Sequence, residues 1–179
     1  MTMKPGLRKL ALSAHLTFSV GWIGTVVAYL ALGLMAVNSS DAANVRAAWT
    51  AMEVIGWYVI VPLAVASFLT GLVMALGTKW GLFRHYWVSI SFFFTLFATV
   101  VLILHMPSVS STAEVARTAE GALLESLGGD LHHPAVGLLI LIVVQVLNLY
   151  KPKGLTRYGS RKQQEERARS DAGNGGSSL

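Results

Sequence analysis

Residues 15–29, HLTFSVGWIGTVVAY, decide the fold of this chain. They lie inside an apolar run of about residues 10–37, which is long enough to cross a lipid bilayer as a helix. His15, Trp22 and Tyr29 are spaced seven residues apart, so they share one face of that helix. Because an ionisable side chain inside a membrane span is costly, we expect this face to point into a bundle of helices.

The composition supports a membrane protein. Of the 179 residues, 54% are hydrophobic and only 13% are charged, which argues against a disordered chain and against an ordinary soluble domain. There is no cysteine, which excludes disulfides, thiolate metal sites and a cysteine nucleophile. The net charge is +5, but the basic residues cluster beside apolar runs. We therefore expect the lipid bilayer, and not nucleic acid, as their partner.

The hydropathy pattern predicts an all-α, four-helix transmembrane bundle. Pro62 should kink the second span, and Ser39 or Ser40 is the natural cap for its helix. Residues 1–150 would form the transmembrane domain, and residues 151–179, rich in Gly, Ser and charge, a disordered basic tail. The four spans are expected at about residues 10–37, 53–76, 85–105 and 134–150.

The distribution of Lys and Arg predicts the orientation. Twelve of the fourteen lie in the N-terminal arm, in the 77–84 loop or after residue 150, whereas the other two connections hold only Arg46 and Arg117. Since positive residues stay on the inner side, both termini should be cytoplasmic, and the protein should be a multi-pass protein of the plasma membrane.

The connection of residues 106–130, between the third and fourth spans, should contain structure of its own. Ser111 and Glu114 have the spacing of a capping box, and Gly128-Gly129 would end the helix that follows. The apolar spacing in between predicts a short amphipathic helix on the outer membrane surface. Such a helix would either cover the mouth of the bundle or act as a lid over a site.

Two histidines near the inner side suit a haem. His15, flanked by Trp22, and His85 at the start of the third span could ligate b-type haem, since a haem in a helical bundle needs inward-pointing imidazole with aromatic neighbours. The alternative is a packed His15 that is hydrogen-bonded to Gln145 or Asn148, with His85 as an interfacial residue.

A second group of histidines lies at the outer ends of the spans. His105 and His85 are about 30 Å apart on one helix, so the two groups cannot share one site. Imidazole with thioether suits copper, and imidazole with carboxylate suits zinc. The alternative is a set of wet interfacial residues. The candidate metal ligands are His105, His132, His133 and, more weakly, Glu53, with Met106 beside them.

The motif H-x6-W-x-G, formed by His15, Trp22 and Gly24, resembles the first helix of a group of small bacterial membrane proteins. The group includes CopD-type copper-resistance proteins, HemJ-type protoporphyrinogen oxidases and an uncharacterised family of four-span integral membrane proteins. The chain is most similar to that last family, in its length, four spans and polar outer loop. The resemblance implies a bacterial cell membrane and a haem role for His15. The lysine that the HemJ type uses near its third helix would correspond only to Lys79, in the loop before the span.

Two functional hypotheses follow. The first is a membrane protein that binds haem or a metal and has an unassigned redox role. The second is a non-catalytic scaffold whose Gly-lined first span contacts another membrane protein or a second copy, and whose basic tail contacts anionic lipid. No nucleotide, phosphate or protease motif assigns an enzymatic reaction, and no charged residue lies in mid-membrane to couple transport to an ion.

Overall fold

The structure is a computed structural model that describes residues 3–78 and 80–175, apart from the side chains of Glu125 and of residues 172–175. Over these residues the chain is α-helical, and four helices are long and apolar enough to cross a membrane, which confirms the predicted all-α four-helix bundle. The helices are α1 Pro5–Asn38, α2 Ala42–Ile55, α3 Val61–Gly77, α4 Tyr86–Thr118, α5 Ala122–Ser126, α6 His132–Tyr150 and α7 Arg157–Gly175. A π-helical turn, Gly56–Ile60, joins α2 to α3.

The four spans form an up-and-down bundle. The continuous α2–α3 helix and α6 both pack against α1, and both also pack against α4. The Met3 amide donates to the Gly77 carbonyl at 2.9 Å, and the Thr156 amide donates to the Arg84 carbonyl at 3.0 Å. The start of α1 and the segment after α6 therefore lie at the same end of the bundle, which we call the Arg84 end. The opposite end is the His105 end, and its placement outside the cell stays a prediction.

The best-packed part of the core lies toward the His105 end, where α2 faces α4. Met52 and Met106 are fully buried there, together with Val109. Ala48 and Ala113 are also completely buried, and such small side chains let two helices approach closely. This contact between α2 and α4 continues past residue 105, where the sequence predicted the third span to end.

The third span therefore differs from its predicted bounds of 85–105. The helix α4 continues through Pro107 to Thr118, because the buried Val109, Ala113 and Ala116 recur on the face that packs against α2. The predicted capping residue Ser111 lies inside this helix and donates to the Ser108 carbonyl at 2.8 Å. Only the five-residue α5 remains of the predicted amphipathic outer helix.

The second span begins and bends differently from the prediction. Asp41, and neither Ser39 nor Ser40, caps α2, because its carboxylate accepts a hydrogen bond from the Ala43 amide at 2.9 Å. The π-helical turn comes directly before Pro62, and the Val61 amide bonds to the Gly56 carbonyl within it. This wider turn accommodates the proline, so the helix continues across the membrane.

The structure also differs from the prediction of a disordered tail. Residues 157–175 form α7, and the Arg84 guanidinium binds both carboxylate oxygens of Glu166, at 3.1 and 2.9 Å. The sequence of α7 has no apolar face, but it places oppositely charged residues four apart, as in Arg161 and Glu165, which supports an exposed helix. Charge pairs along α7 therefore account for the helix. The prediction missed it because apolar periodicity does not reveal such pairs.

Candidate metal centre

Two histidines and an aspartate meet at the His105 end. His105 is the twentieth residue of α4, His133 lies in the first turn of α6, and Asp130 precedes α6. The His105 Nε2 atom is 2.7 Å from Asp130 Oδ2, and the His133 Nδ1 atom is 3.6 Å from Asp130 Oδ1. The two imidazole rings stack with their centroids 3.8 Å apart. One donor atom from each of the three residues lies within 4.8 Å of the other two.

The backbone of residues 127–131 carries Asp130 to this position. Gly128 has a φ of +56°, a conformation that favours glycine. The Trp49 indole donates to the Gly128 carbonyl at 3.1 Å, which anchors the turn to α2. The aspartate is therefore placed by a turn fixed from another helix, and its position does not depend on its own side-chain bonds alone.

Two glycines let this turn cross α1. A Cβ atom added to Gly129 would collide with the Gly33 carbonyl oxygen. A Cβ atom added to Gly33 would lie 2.9 Å from the Asp130 carbonyl oxygen. The two backbones are in direct contact, and this contact brings the Asp130 side chain to the hydroxyl of Tyr29, one turn from Gly33 on α1.

The Asp130 carboxylate is buried and well bonded. Its side chain is only 9% exposed. The Tyr29 hydroxyl donates to its Oδ2 atom at 2.9 Å, and His105 contacts the same oxygen. Among the described residues, no Lys or Arg forms an ion pair with this carboxylate. A nearly buried carboxylate held by imidazoles and a phenol, with no Lys or Arg partner among the described residues, is compatible with a metal ligand and its supporting shell.

A cavity of about 300 Å³ adjoins this group. It lies between α1, α4 and α6, and its floor is formed by Trp22 and Leu141. Its walls are mostly apolar, whereas His105, Asp130 and His133 lie at one end. The donor group therefore faces a space that is large enough for a small ligand.

The predicted outer ligands are only partly brought together. His105 and His133 meet, whereas His132 lines the cavity but is not part of the group. Glu53 lies elsewhere, in an ion pair with Arg117 on the α2–α4 contact. Met106 is buried against Gly56, although it also lines the cavity that adjoins the cluster.

Asp130 was not among the predicted ligands. The sequence does contain a signal for it, because Asp130 and His133 are three residues apart at the start of a helix. That spacing can place both side chains on one side of the turn. The contact with His105, however, depends on how α4 and α6 pack.

The predicted inner site has a different character. The His15 stripe faces the bundle interior, and the ring Nδ1 atom lies 3.1 Å from the Ser67 carbonyl and 3.2 Å from Thr70 Oγ1. Its partners are on α3, although Gln145 and Asn148 also line the cavity beside it. That cavity is about 30 Å³, close to the volume of one water molecule. It has no room for a porphyrin.

His85 is not part of the His15 cavity. Its Nδ1 atom lies 2.7 Å from the Trp80 carbonyl, and its ring packs edge-on against the Trp80 ring at 5.1 Å. The residue sits at the Arg84 end beside Leu155, where it joins the loop to the tail. Lys79, the residue that the HemJ resemblance would make functional, lies outside the described residues.

Trp22 was predicted to line a cofactor site, and the structure places it between both cavities. The side chain is 3% exposed and forms a wall of the small cavity at His15 and the floor of the large one. The large cavity, with its polar end at His105, is therefore the strongest candidate for a functional site.

Comparisons with protein-family models, with curated proteins and with solved structures found no significant match to this chain.

Proposed function

We propose that this membrane protein binds a divalent transition-metal ion through His105, Asp130 and His133. The observation that carries the proposal is the convergence of two imidazoles and one buried carboxylate, with donor atoms within 4.8 Å of one another. In a tetrahedral zinc site the ligand atoms are about 3.4 Å apart, since each lies about 2.1 Å from the ion. The three donor atoms would move from their present separations, of up to 4.8 Å, toward that distance when an ion binds.

The donor set indicates the class of metal. Two neutral imidazoles and one carboxylate suit zinc, copper or ferrous iron, whereas magnesium and calcium prefer oxygen ligands alone. Three protein ligands also leave at least one coordination position open, as in catalytic sites, and here the group adjoins the large cavity. When bound, such an ion supplies a Lewis acid that polarises an oxygen of the ligand in the cavity.

Tyr29 would act as a positioning residue. Its hydroxyl donates to Asp130 Oδ2, which fixes the carboxylate plane and leaves Oδ1 on the side of His133. Hydrogen bonds of this kind orient metal ligands, and their loss typically weakens metal binding by about 10- to 100-fold.

The haem hypothesis for His15 and His85 does not gain support from this geometry. The two histidines lie in different surroundings, and the space beside His15 is about 30 Å³. A second candidate function is favoured by the direct 2.7 Å bond between His105 and Asp130, which satisfies both groups without an ion. The cluster would then be a structural network that closes one end of a scaffold protein.

Metal titration separates these two functions. Chelator-treated protein in detergent is titrated with Zn²⁺ by calorimetry, and with Co²⁺ to record the spectrum of its coordination shell. His133→Ala should weaken Zn²⁺ binding by roughly a hundredfold or more, because it removes a direct ligand. The matched control is His132→Ala, which removes the neighbouring imidazole that lies outside the group.

His15→Ala is a second control, because His15 is hydrogen-bonded to α3 far from Asp130. Both control variants should bind Zn²⁺ within about twofold of the original protein. If the original protein takes up no Zn²⁺ or Co²⁺, or if His132→Ala weakens binding as much as His133→Ala does, the cluster is a structural network and the metal proposal is wrong.

A further inference from the structure

The large cavity is open toward the lipid. Phe97 of α4 and Val136 of α6 line it and are 57% and 58% exposed on the outer surface of the bundle. Both lie within the candidate membrane spans, and Phe97 is two turns below His105 on the same helix. A molecule dissolved in the bilayer can therefore approach the cavity between α4 and α6.

The polar end of the cavity restricts which lipid-soluble molecule fits. Within the described part of the chain, none of the residues that line it is Lys or Arg, and Asp130 adds a carboxylate. In the metal-free protein, a phosphate or a fatty-acid carboxylate would therefore meet an acidic group with no Lys or Arg to balance it. This lining favours an uncharged head group.

The hydrogen-bonding groups at this end are of both kinds. The Asp130 carboxylate is an acceptor, and the Tyr29 hydroxyl, whose hydrogen is donated to Asp130 Oδ2, offers its oxygen as an acceptor. The Nε2 atom of His105 is bonded to the same carboxylate oxygen, whereas a neutral His133 offers one nitrogen that donates and one that accepts. These side chains can therefore bind a head group that accepts hydrogen bonds in its oxidised form and donates them in its reduced form. Quinone carbonyls accept, and the hydroxyls of the corresponding quinol donate.

The size and the aromatic lining agree with one six-membered ring. About 300 Å³ is at the lower limit of small-molecule sites, which favours a small head group over a bulky polycyclic one. Trp22 forms the floor and Phe97 lines a wall, and both offer faces or edges to a planar ring. The exposed apolar groove between Phe97 and Val136 leaves a path for an alkyl tail into the lipid.

We propose that this cavity binds the head group of a lipid-soluble quinone or quinol, with its oxygen beside Tyr29, Asp130 and His105 and its tail passing between α4 and α6. The proposal concerns binding alone and goes beyond the metal site. It holds for the metal-free protein, so it can fail or succeed independently of the metal proposal.

Two glycines provide a matched pair of variants. Gly137 lines the cavity, and a Cβ atom added there meets no atom within 4 Å, so Gly137→Leu adds bulk to the cavity lining with no clash at its Cβ atom. Gly24 lies on the exposed face of α1, and a Cβ atom there also meets no atom within 4 Å. Gly24→Leu therefore makes the same chemical change away from the cavity.

The experiment measures binding of a decyl-substituted benzoquinone to the metal-free protein in detergent with EDTA. Quinones quench tryptophan fluorescence, and Trp22 reports directly because it forms the cavity floor. The original protein and Gly24→Leu should show the same saturable quenching, whereas Gly137→Leu should raise the dissociation constant at least tenfold. Decylbenzene, which has the same tail but no oxygen, should not displace the quinone.

A second variant keeps the test independent of how well Gly137→Leu folds. Tyr29→Phe retains the ring and removes the hydroxyl next to Asp130, and it should weaken quinone binding severalfold. The proposal is wrong if quenching does not saturate, if both leucine variants bind equally, or if decylbenzene competes as well as the quinone. A Soret band in the purified protein that Gly137→Leu removes would also overturn it, because the occupant would then be a porphyrin.

Discussion

Gly129 shows how much of the site depends on a single hydrogen atom in place of a side chain. A Cβ atom at this position would collide with the Gly33 carbonyl, which is backbone and cannot rotate away. We predict that Gly129→Ala moves the turn off α1 and displaces Asp130, so that Zn²⁺ affinity falls by about tenfold or more while helicity is retained. Calorimetric titration and circular dichroism of the same sample measure both quantities.

The control for this variant is Gly24→Ala, since Gly24 has open space around it. It should leave Zn²⁺ affinity unchanged. Full Zn²⁺ affinity in Gly129→Ala would show that Asp130 reaches the histidines without the crossing of the two glycines.

At the residue scale, the sequence predicted the buried face of a helix more accurately than the residues that its side chains contact. The spacing of His15, Trp22 and Tyr29 predicted one inward stripe, and the structure has Trp22 and Tyr29 buried on it. The partner of His15 was expected on the fourth span but lies on α3. Spacing fixes the face of one helix, whereas the partner depends on how the neighbouring helix is rotated, and no local pattern records that rotation.

Among the elements, α7 offers a pH-dependent contact. The hydrogen bonds from Arg84 lower the pKa of the Glu166 carboxyl below its usual value. The lowered pKa means that this contact stabilises the docked tail above the carboxyl's ordinary pKa and is lost as the pH falls through the lowered value. We predict that α7 remains docked near neutral pH and becomes mobile in acid.

A spin label measures this motion without background, because the chain contains no cysteine. A label at Ser170→Cys, on the exposed part of α7, should show restricted motion at pH 7 and faster motion once the pH falls below the lowered pKa of Glu166. Glu166→Gln should be mobile at both pH values. Equal mobility of the label in the two proteins at pH 7 would show that the ion pair does not hold the tail.

The boundaries of α4 explain why some elements were predicted poorly. Hydropathy detected the apolar part of this helix up to His105, but the next thirteen residues are rich in small and polar side chains. They stay helical because Val109, Ala113 and Ala116 are buried against α2. Because this contact depends on tertiary structure, hydropathy alone predicts an end at residue 105, thirteen residues before the helix ends at Thr118.

For the whole molecule, the distribution of charge predicts the orientation. Twelve of the fourteen Lys and Arg residues belong to the predicted inner segments, so the Arg84 end should face the cytoplasm. Reporter fusions after Lys153 and within residues 119–130 should give opposite signals, with the first active only inside the cell. A fusion after Lys153 that is active outside would reverse the bundle.

The candidate site depends on how the helices pack together more than on any single stretch of sequence. The sequence named His105 and His133 because both lie at the ends of apolar runs on the same predicted side. It assigned no role to Asp130 and gave no indication of the cavity, because both arise from the packing of three helices around Trp22. Glu53 was grouped with them by depth alone, and depth does not distinguish the α2–α4 contact from the α4–α6 contact.

The unequal lengths of the helices have one further consequence. Among the four spans only α6, with 19 residues, matches the roughly 30 Å of a bilayer, whereas α1 and α4, with 34 and 33 residues, are about 50 Å long. We therefore expect the first turn of α6 to lie where hydrocarbon gives way to water, with the longer helices rising past it. In that position Asp130 would stand at the boundary between two solvents, and a cation from the aqueous phase and a hydrophobic molecule from the bilayer would each reach the same carboxylate without leaving the phase in which it dissolves.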